Sequence, residues 1–406
     1  MAVGSGELPV LHTVDGVRIG VASAGIKKVG RIDTVVFELC EGASVAGVFT
    51  LNAFCAAPVT VAKEHLAATS PRYLLINTGN ANAGTGQAGM LNARNSCAAL
   101  AELADVAPTA VLPFSTGVIG EQLPVDKLIA AMPAAISALA SDAWESAANG
   151  IMTTDTRPKA TSRQINIAGR TITVTGISKG AGMIKPNMAT MLGYVATDAN
   201  IAPAVLQAML DQSADASFNR ITIDGDTSTN DACVLIATGK AGGEQLTETS
   251  GPVFDELQRV FNEVFLELAH AIVRDGEGAT KFVAVEVSGA NDVSEALKVA
   301  YAVAESPLVK TALFASDPNW GRILAAIGRA GVNSLDVAAL TVHLDDVLIT
   351  EHGGRAESYT EAAGAAIMKQ AEIRIRINLN RGQHAETVWT TDFSYDYVKI
   401  NAEYRS

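Results

Sequence analysis

Strand-like and helix-like stretches alternate along this chain, and that alternation limits the fold to the mixed α/β and α+β classes. "RYLLIN" (residues 72–77) reads as an apolar strand, a Gly/Asn loop follows, and "LNARNSCAALAELADV" (91–106) has helical spacing. "TITVTGISKG" (171–180) alternates as a strand should, whereas "PAVLQAMLDQSADAS" (203–217) is helical. A long helix is expected from 253 to 273, then a half-buried strand in "FVAVEVSG" (282–289). Past about residue 290 the pattern changes to a helical stretch ending at Phe314, the loop "SDPNWGR", and strands in "LTVHLDDVLI", "EIRIRINLN" and "ETVWTTDF". The expected organisation is a core over residues 1–285 and a smaller C-terminal α+β domain over 286–406. A chain of 406 residues, 48% hydrophobic and 18% charged, can bury interiors of that size.

A net charge of −13 argues against a nucleic-acid partner, while leaving room for a local basic site for a small anion. The four cysteines, Cys40, Cys55, Cys97 and Cys233, show no CxxC spacing and do not cluster with the six histidines, so neither a disulfide framework nor a metal set is readable. They read as thiols of a reducing compartment. The N-terminus lacks the basic start and apolar core of a signal peptide, and "KLIAAMPAAISALA" (127–140) is too short to span a bilayer, which makes it an Ala-rich packed helix. The expectation is a cytoplasmic protein with no membrane partner.

Several segments look chemical. "GTGQAG" (84–89) matches the dinucleotide-binding pattern, but "TGNANA" separates it from the strand and no suitably placed acid follows, so a Gly/Asn loop is the favoured reading. "DGDTSTND" (224–231) starts like a calcium loop and lacks its glycine and closing glutamate, which favours a hydrogen-bonded turn. Arg374 and Arg376 share a strand face that reads as solvated. In "STGVIG" (115–120), Gly117 permits close backbone approach to a ligand and Thr116 adds a hydroxyl, so the segment could face a developing oxyanion or be an ordinary turn after "AVLPF".

"KGAGMIKPNMATML" (179–192) is a loop loosened by Gly180, Gly182 and Pro186 that runs into an apolar strand carrying one hydroxyl, Thr190. A threonine hydroxyl is a poor nucleophile without a base. Cutting the Ala189–Thr190 bond would supply one, because Thr190 would gain a free α-amine with a pKa near 8. From the residues alone, a buried structural threonine remains the safer reading.

Five segments, "STGVIG", "IMTTDTRPK", "KGAGMIKPNMATML", "DGEGATK" and "DPNWGRI", occur over nearly the whole chain and closely resemble the ornithine acetyltransferase family of arginine biosynthesis. The resemblance implies an αββα layered sandwich like that of N-terminal nucleophile hydrolases, and self-cleavage between Ala189 and Thr190 into two chains. It implies Thr190 as the nucleophile and Thr116 with Gly117 as the oxyanion hole. Substrate-binding positions carried over from the family are Thr153, Lys179, Thr190, Glu277, Asn401 and Ser406, with the C-terminus returning to the active site. The implied substrates are N2-acetyl-L-ornithine and L-glutamate in a ping-pong reaction, with acetyl-CoA as a second donor, no cofactor and no metal. The implied assembly is two copies of each chain, α2β2. A related self-processing aminopeptidase or amidohydrolase, with water as the acceptor, is the alternative.

Overall fold

The computed structural model describes residues 2 to 185 and 191 to 403. The chain divides into two compact units: Glu7–Asn219 with Asp226–Ile272, and Val273–Ser406 with Met1–Gly6 and Arg220–Gly225. The first unit carries strands β1 (Val17–Ala22), β2 (Thr34–Leu39), β3 (Ser44–Phe49), β4 (Tyr73–Asn80), β5 (Val111–Val118), β6 (Lys159–Ile167), β7 (Arg170–Lys179), β8 (Leu192–Thr197) and β9 (Ala232–Ala237). They form two sheets, ordered β1-β2-β4-β5 and β3-β9-β8-β7-β6.

The sheets stack face to face because their inward residues are large and apolar. Ile19, Phe37, Ile76 and Phe114 of one sheet share a buried cluster with Ile177, Tyr194 and Val234 of the other. The Tyr194 ring centroid lies 5.4 Å from that of Phe37 and 5.3 Å from that of Phe114. Strand periodicity sends the alternate residues outward. Val36, Tyr73, Leu75 and Val111 join a second cluster with helices α1 (Ala57–Ala68), α2 (Gly86–Ala104) and α3 (Val125–Ser137). After α4 (Trp144–Gly150), helices α5 (Pro203–Ala216) and α6 (Pro252–Arg274) cover the other sheet. There Gln207 Oε1 accepts from Gly47 N–H, and Leu268 packs with Val195 against Gly176. The unit is therefore an αββα sandwich, as expected from the resemblance.

The second unit carries a six-stranded sheet built from β10 (Phe282–Ala290), β11 (Thr341–Leu344), β12 (Val347–Glu351), β13 (Gly354–Arg355), β14 (Glu372–Asn378) and β15 (His384–Thr391), in the order β13-β12-β11-β14-β10-β15. Its core joins Val283, Val285 and Ile375 to Val299, Val303 and Ile323, contributed by α7 (Val293–Ala304) and α9 (Trp320–Gly328); α8 (Pro307–Phe314), α10 (Glu361–Met368) and α11 (Tyr395–Ala402) complete the unit. The sequence-based division at 285/286 falls within β10.

Three local features differ from the sequence reading. "LTVHLDDVLI" is a hairpin rather than one strand, turned at Asp345 with φ 47°. "SDPNWGR" is only half loop, since Asn319 Oδ1 accepts from Arg322 N–H and starts α9 at Trp320. The third is the end of β5. "STGV" does not form a turn but stays in the strand, because the parallel ladder with β4 continues through Thr78↔Thr116 and Gly79↔Gly117. Among the described residues, no helix is long and apolar enough to cross a membrane.

Candidate active site

Thr116 and Gly117 lie near the end of β5, where the ladder with β4 breaks register at Gly79 and Asn80. Gly117 has φ 137°, and a Cβ there would sit 2.3 Å from Gly79 C and 2.5 Å from Asn80 N, so no other residue fits. Side-chain amides brace this irregular backbone. Asn77 Nδ2 donates to Asn80 O at 2.9 Å, Ser115 Oγ donates to Asn77 Oδ1, and Asn80 Oδ1 accepts from Asn82 N–H at 2.7 Å. Asn230, from the "DGDTSTND" turn, reaches across to donate from Nδ2 to Ala81 O at 2.6 Å and Ser115 O at 3.0 Å. The carbonyl of Ser115 is thereby fixed in the peptide that carries the Thr116 N–H.

Lys179, the last residue of β7, is 9% exposed and donates from Nζ to Thr116 Oγ1 at 3.1 Å. An ammonium can only donate, so the Thr116 hydroxyl is the acceptor and its own O–H is left to point elsewhere. The result is an oriented hydroxyl donor beside a cation, suited to an oxygen that gains negative charge.

Asp155 ties these pieces to Thr153. Its Oδ2 accepts from Thr153 N–H at 2.9 Å, and its Oδ1 accepts from Gly180 N–H at 2.7 Å and from Lys159 Nζ at 2.6 Å. Both side chains of the Asp155–Lys159 pair are buried. Burial alone would push the Asp155 carboxyl up, but Lys159, Lys179 and the hydrogen bonds outweigh it and hold the group well below the usual carboxylate range. Thr116, Lys179, Gly180, Asp155 and Thr153 thus form one bonded chain. Thr153 O also accepts from Arg31 Nη2 at 3.4 Å.

In the second unit, Glu277 follows α6 and Asn401 lies on α11. Asn401 Nδ2 donates to Glu277 Oε2 at 2.7 Å. Ser394 Oγ donates to Gly278 O at 2.7 Å, and Phe393 stacks on Tyr397 with centroids 4.9 Å apart, which fixes the start of α11. Beneath it, the buried Lys310 donates to Thr390 Oγ1 at 2.9 Å and Thr391 Oγ1 at 3.2 Å. Burial pushes that ammonium down to about 7 against the pull of Asp392, Asp224 and Glu305. Ala189, Thr190 and Ser406 lie outside the described residues.

Asp155 and Asn230 are site residues that the sequence reading passed over. A signal existed for Asp155, since "DTRPK" places an acid four residues before a lysine. "GTGQAG" is loop only at Gly84 and Thr85, because α2 already begins at Gly86, with Asn82 Nδ2 bonded to Gly89 O; the solvated reading of Arg374 and Arg376 stands, since both are exposed and paired with Asp345, Asp346 and Glu286.

The ArgJ family model matches residues 18–406. Two curated relatives, each an arginine biosynthesis bifunctional protein ArgJ, align over all 406 residues and their own full length: that of Pseudomonas syringae pv. tomato at 62% identity and that of Pseudomonas fluorescens at 61%. A crystal structure of an arginine biosynthesis bifunctional protein from Bacillus halodurans matches with a TM-score of 0.50 and 40% identity, covering 53% of this chain and 100% of that one. On sequence and fold together, the chain belongs to the ArgJ family.

Proposed function

We propose that the protein transfers the acetyl group of N2-acetyl-L-ornithine to L-glutamate through an acetyl-Thr190 intermediate, after cutting itself between Ala189 and Thr190. The observation that carries this reading is the buried Lys179–Thr116 hydrogen bond beside Gly117, a preformed donor site at a backbone position only glycine can occupy.

In the reaction, Thr190 Oγ bonds to the acetyl carbon while its proton passes to the Thr190 α-amine, which acts as the base. Negative charge builds on the acetyl oxygen, where the Thr116 hydroxyl and the Gly117 N–H stabilise it. The bond to the ornithine nitrogen then breaks, and that nitrogen takes the proton from the α-ammonium. Glutamate's amine attacks the acetyl ester in the second half, so the mechanism is ping-pong. Glu277, braced by Asn401, complements the free ammonium of ornithine, and Lys179 and Thr153 complement the carboxylate end. Ser406 completes the binding set. The relatives' description as bifunctional supports a second donor, which we take to be acetyl-CoA. The unpaired cysteines fit a cytoplasmic setting, and the processed chains assemble as α2β2.

The test is intact mass under denaturing conditions after mixing the protein with N2-acetyl-L-ornithine alone. An acetyl adduct is expected on the fragment beginning at Thr190, discharged far faster by glutamate than by water. Absence of the adduct would overturn the reading, and equal discharge by water would favour an amidohydrolase. A separate check is Thr116→Val, for which kcat should fall by roughly 10² to 10³ with KM nearly unchanged, as for loss of one oxyanion donor.

A further inference from the structure

Asp231 stands immediately before β9, 3% exposed. The next residue, Ala232, donates its N–H to Met191 O at 3.0 Å, and the parallel ladder of β8 and β9 begins at Leu192↔Ala232. Asp231 is therefore the lateral neighbour of the residue that follows Thr190. On the other flank of β8, Lys179 pairs with Leu192. Asp231 Oδ2 is buried with no hydrogen-bond partner among the described residues. Leaving a buried carboxyl oxygen unpaired is costly, so its persistence calls for a functional reason. Burial pushes this carboxyl well above the usual range, and Ser228 and Lys179 pull the other way without cancelling that effect. Burial therefore favours its protonated form.

The mature enzyme's base does not exist before the chain is cut. In the uncut chain the Thr190 nitrogen is an amide, which cannot accept the hydroxyl proton. Among the described residues, two neighbouring ionisable groups are already committed: Lys179 donates to Thr116, and both oxygens of Asp155 are taken by Lys159, Thr153 and Gly180.

We propose that Asp231 is the proton-transferring group of self-cleavage. This rests on the reading that the chain cuts itself at Ala189–Thr190. Thr190 Oγ bonds to Ala189 C, the C–N bond breaks, the Asp231 carboxyl gives its proton to the departing nitrogen, and the hydroxyl proton replaces it on Asp231. Water then hydrolyses the resulting ester, freeing the Ala189 carboxylate and restoring the Thr190 hydroxyl beside its new amine.

The experiment follows the full chain, made by cell-free translation with a brief label, and scores cut against uncut species over time. Asp231→Asn keeps the shape and removes the exchangeable acid, and it should slow cleavage by roughly 10² or more, the usual share of a positioned acid–base group. Asp231→Glu should retain much of the rate, and formate should accelerate cleavage of Asp231→Ala, an effect that a purely structural role would not produce. Wild-type cleavage speed in Asp231→Asn, or Asp231→Ala unresponsive to formate, would overturn the assignment while leaving self-cleavage intact. A wild-type chain that is never cut would overturn the underlying reading as well.

Discussion

Thr190→Ala is expected to give a single uncut chain with acetyl transfer reduced on the order of 10⁵-fold or more, as when the nucleophile of a covalent mechanism is deleted. The loss is double, because alanine removes both the attacking hydroxyl and the reaction that creates the base. Thr190→Ser separates the two, since serine keeps the hydroxyl and can still be cut. It should produce fragments and measurable transfer, and intact mass with a glutamate-dependent assay checks both. A cut Thr190→Ala chain would show that the hydroxyl does not open the Ala189–Thr190 bond.

Asp155→Ala is expected to be the most destabilising single change in the site. It strands the buried Lys159 ammonium and frees the backbone N–H groups of Thr153 and Gly180. Breaking a buried pair by removing one partner costs about 3–5 kcal/mol, and at roughly 2–4 °C per kcal/mol the melting temperature should fall by about 6–20 °C. The pH dependence follows from the sign of the shift. The folded carboxyl sits below its unfolded value, so its contribution is complete above the ordinary carboxylate pKa and is lost as pH falls through the depressed one. Melting curves of wild type and variant should therefore converge in strong acid, and a constant gap down to the lowest measurable pH would count against the ion pair.

Local pattern carried the fold a long way. The strand "TITVTGISKG" and the helices at 203–217 and 253–273 appear within a residue or two of their expected limits, because each has a clear period and Gly or Pro punctuation. Gly117 was legible for a similar reason, as a glycine after a strand marks close backbone approach. Asn230 was not legible, since its partners Ser115 and Ala81 are 115 and 149 residues away and nothing in "DGDTSTND" points to them. Asp231 was hidden more deeply. What singles it out is a buried oxygen with no hydrogen-bond partner among the described residues, a property of packing that no spacing rule reports.

The strand order β3-β9-β8-β7-β6 has a consequence for how such a protein can be inherited. A cut at Ala189–Thr190 assigns β3, β7 and β6 to one product and β9 and β8 to the other, so the middle of the sheet and its flanks would belong to different polypeptides. Two separately translated halves would each begin life with an incomplete sheet, one missing its centre and the other exposing two unpaired edges. A single message would avoid this, since the strands could interleave before the cut, and it would yield the two products in equal numbers without any regulation of their synthesis.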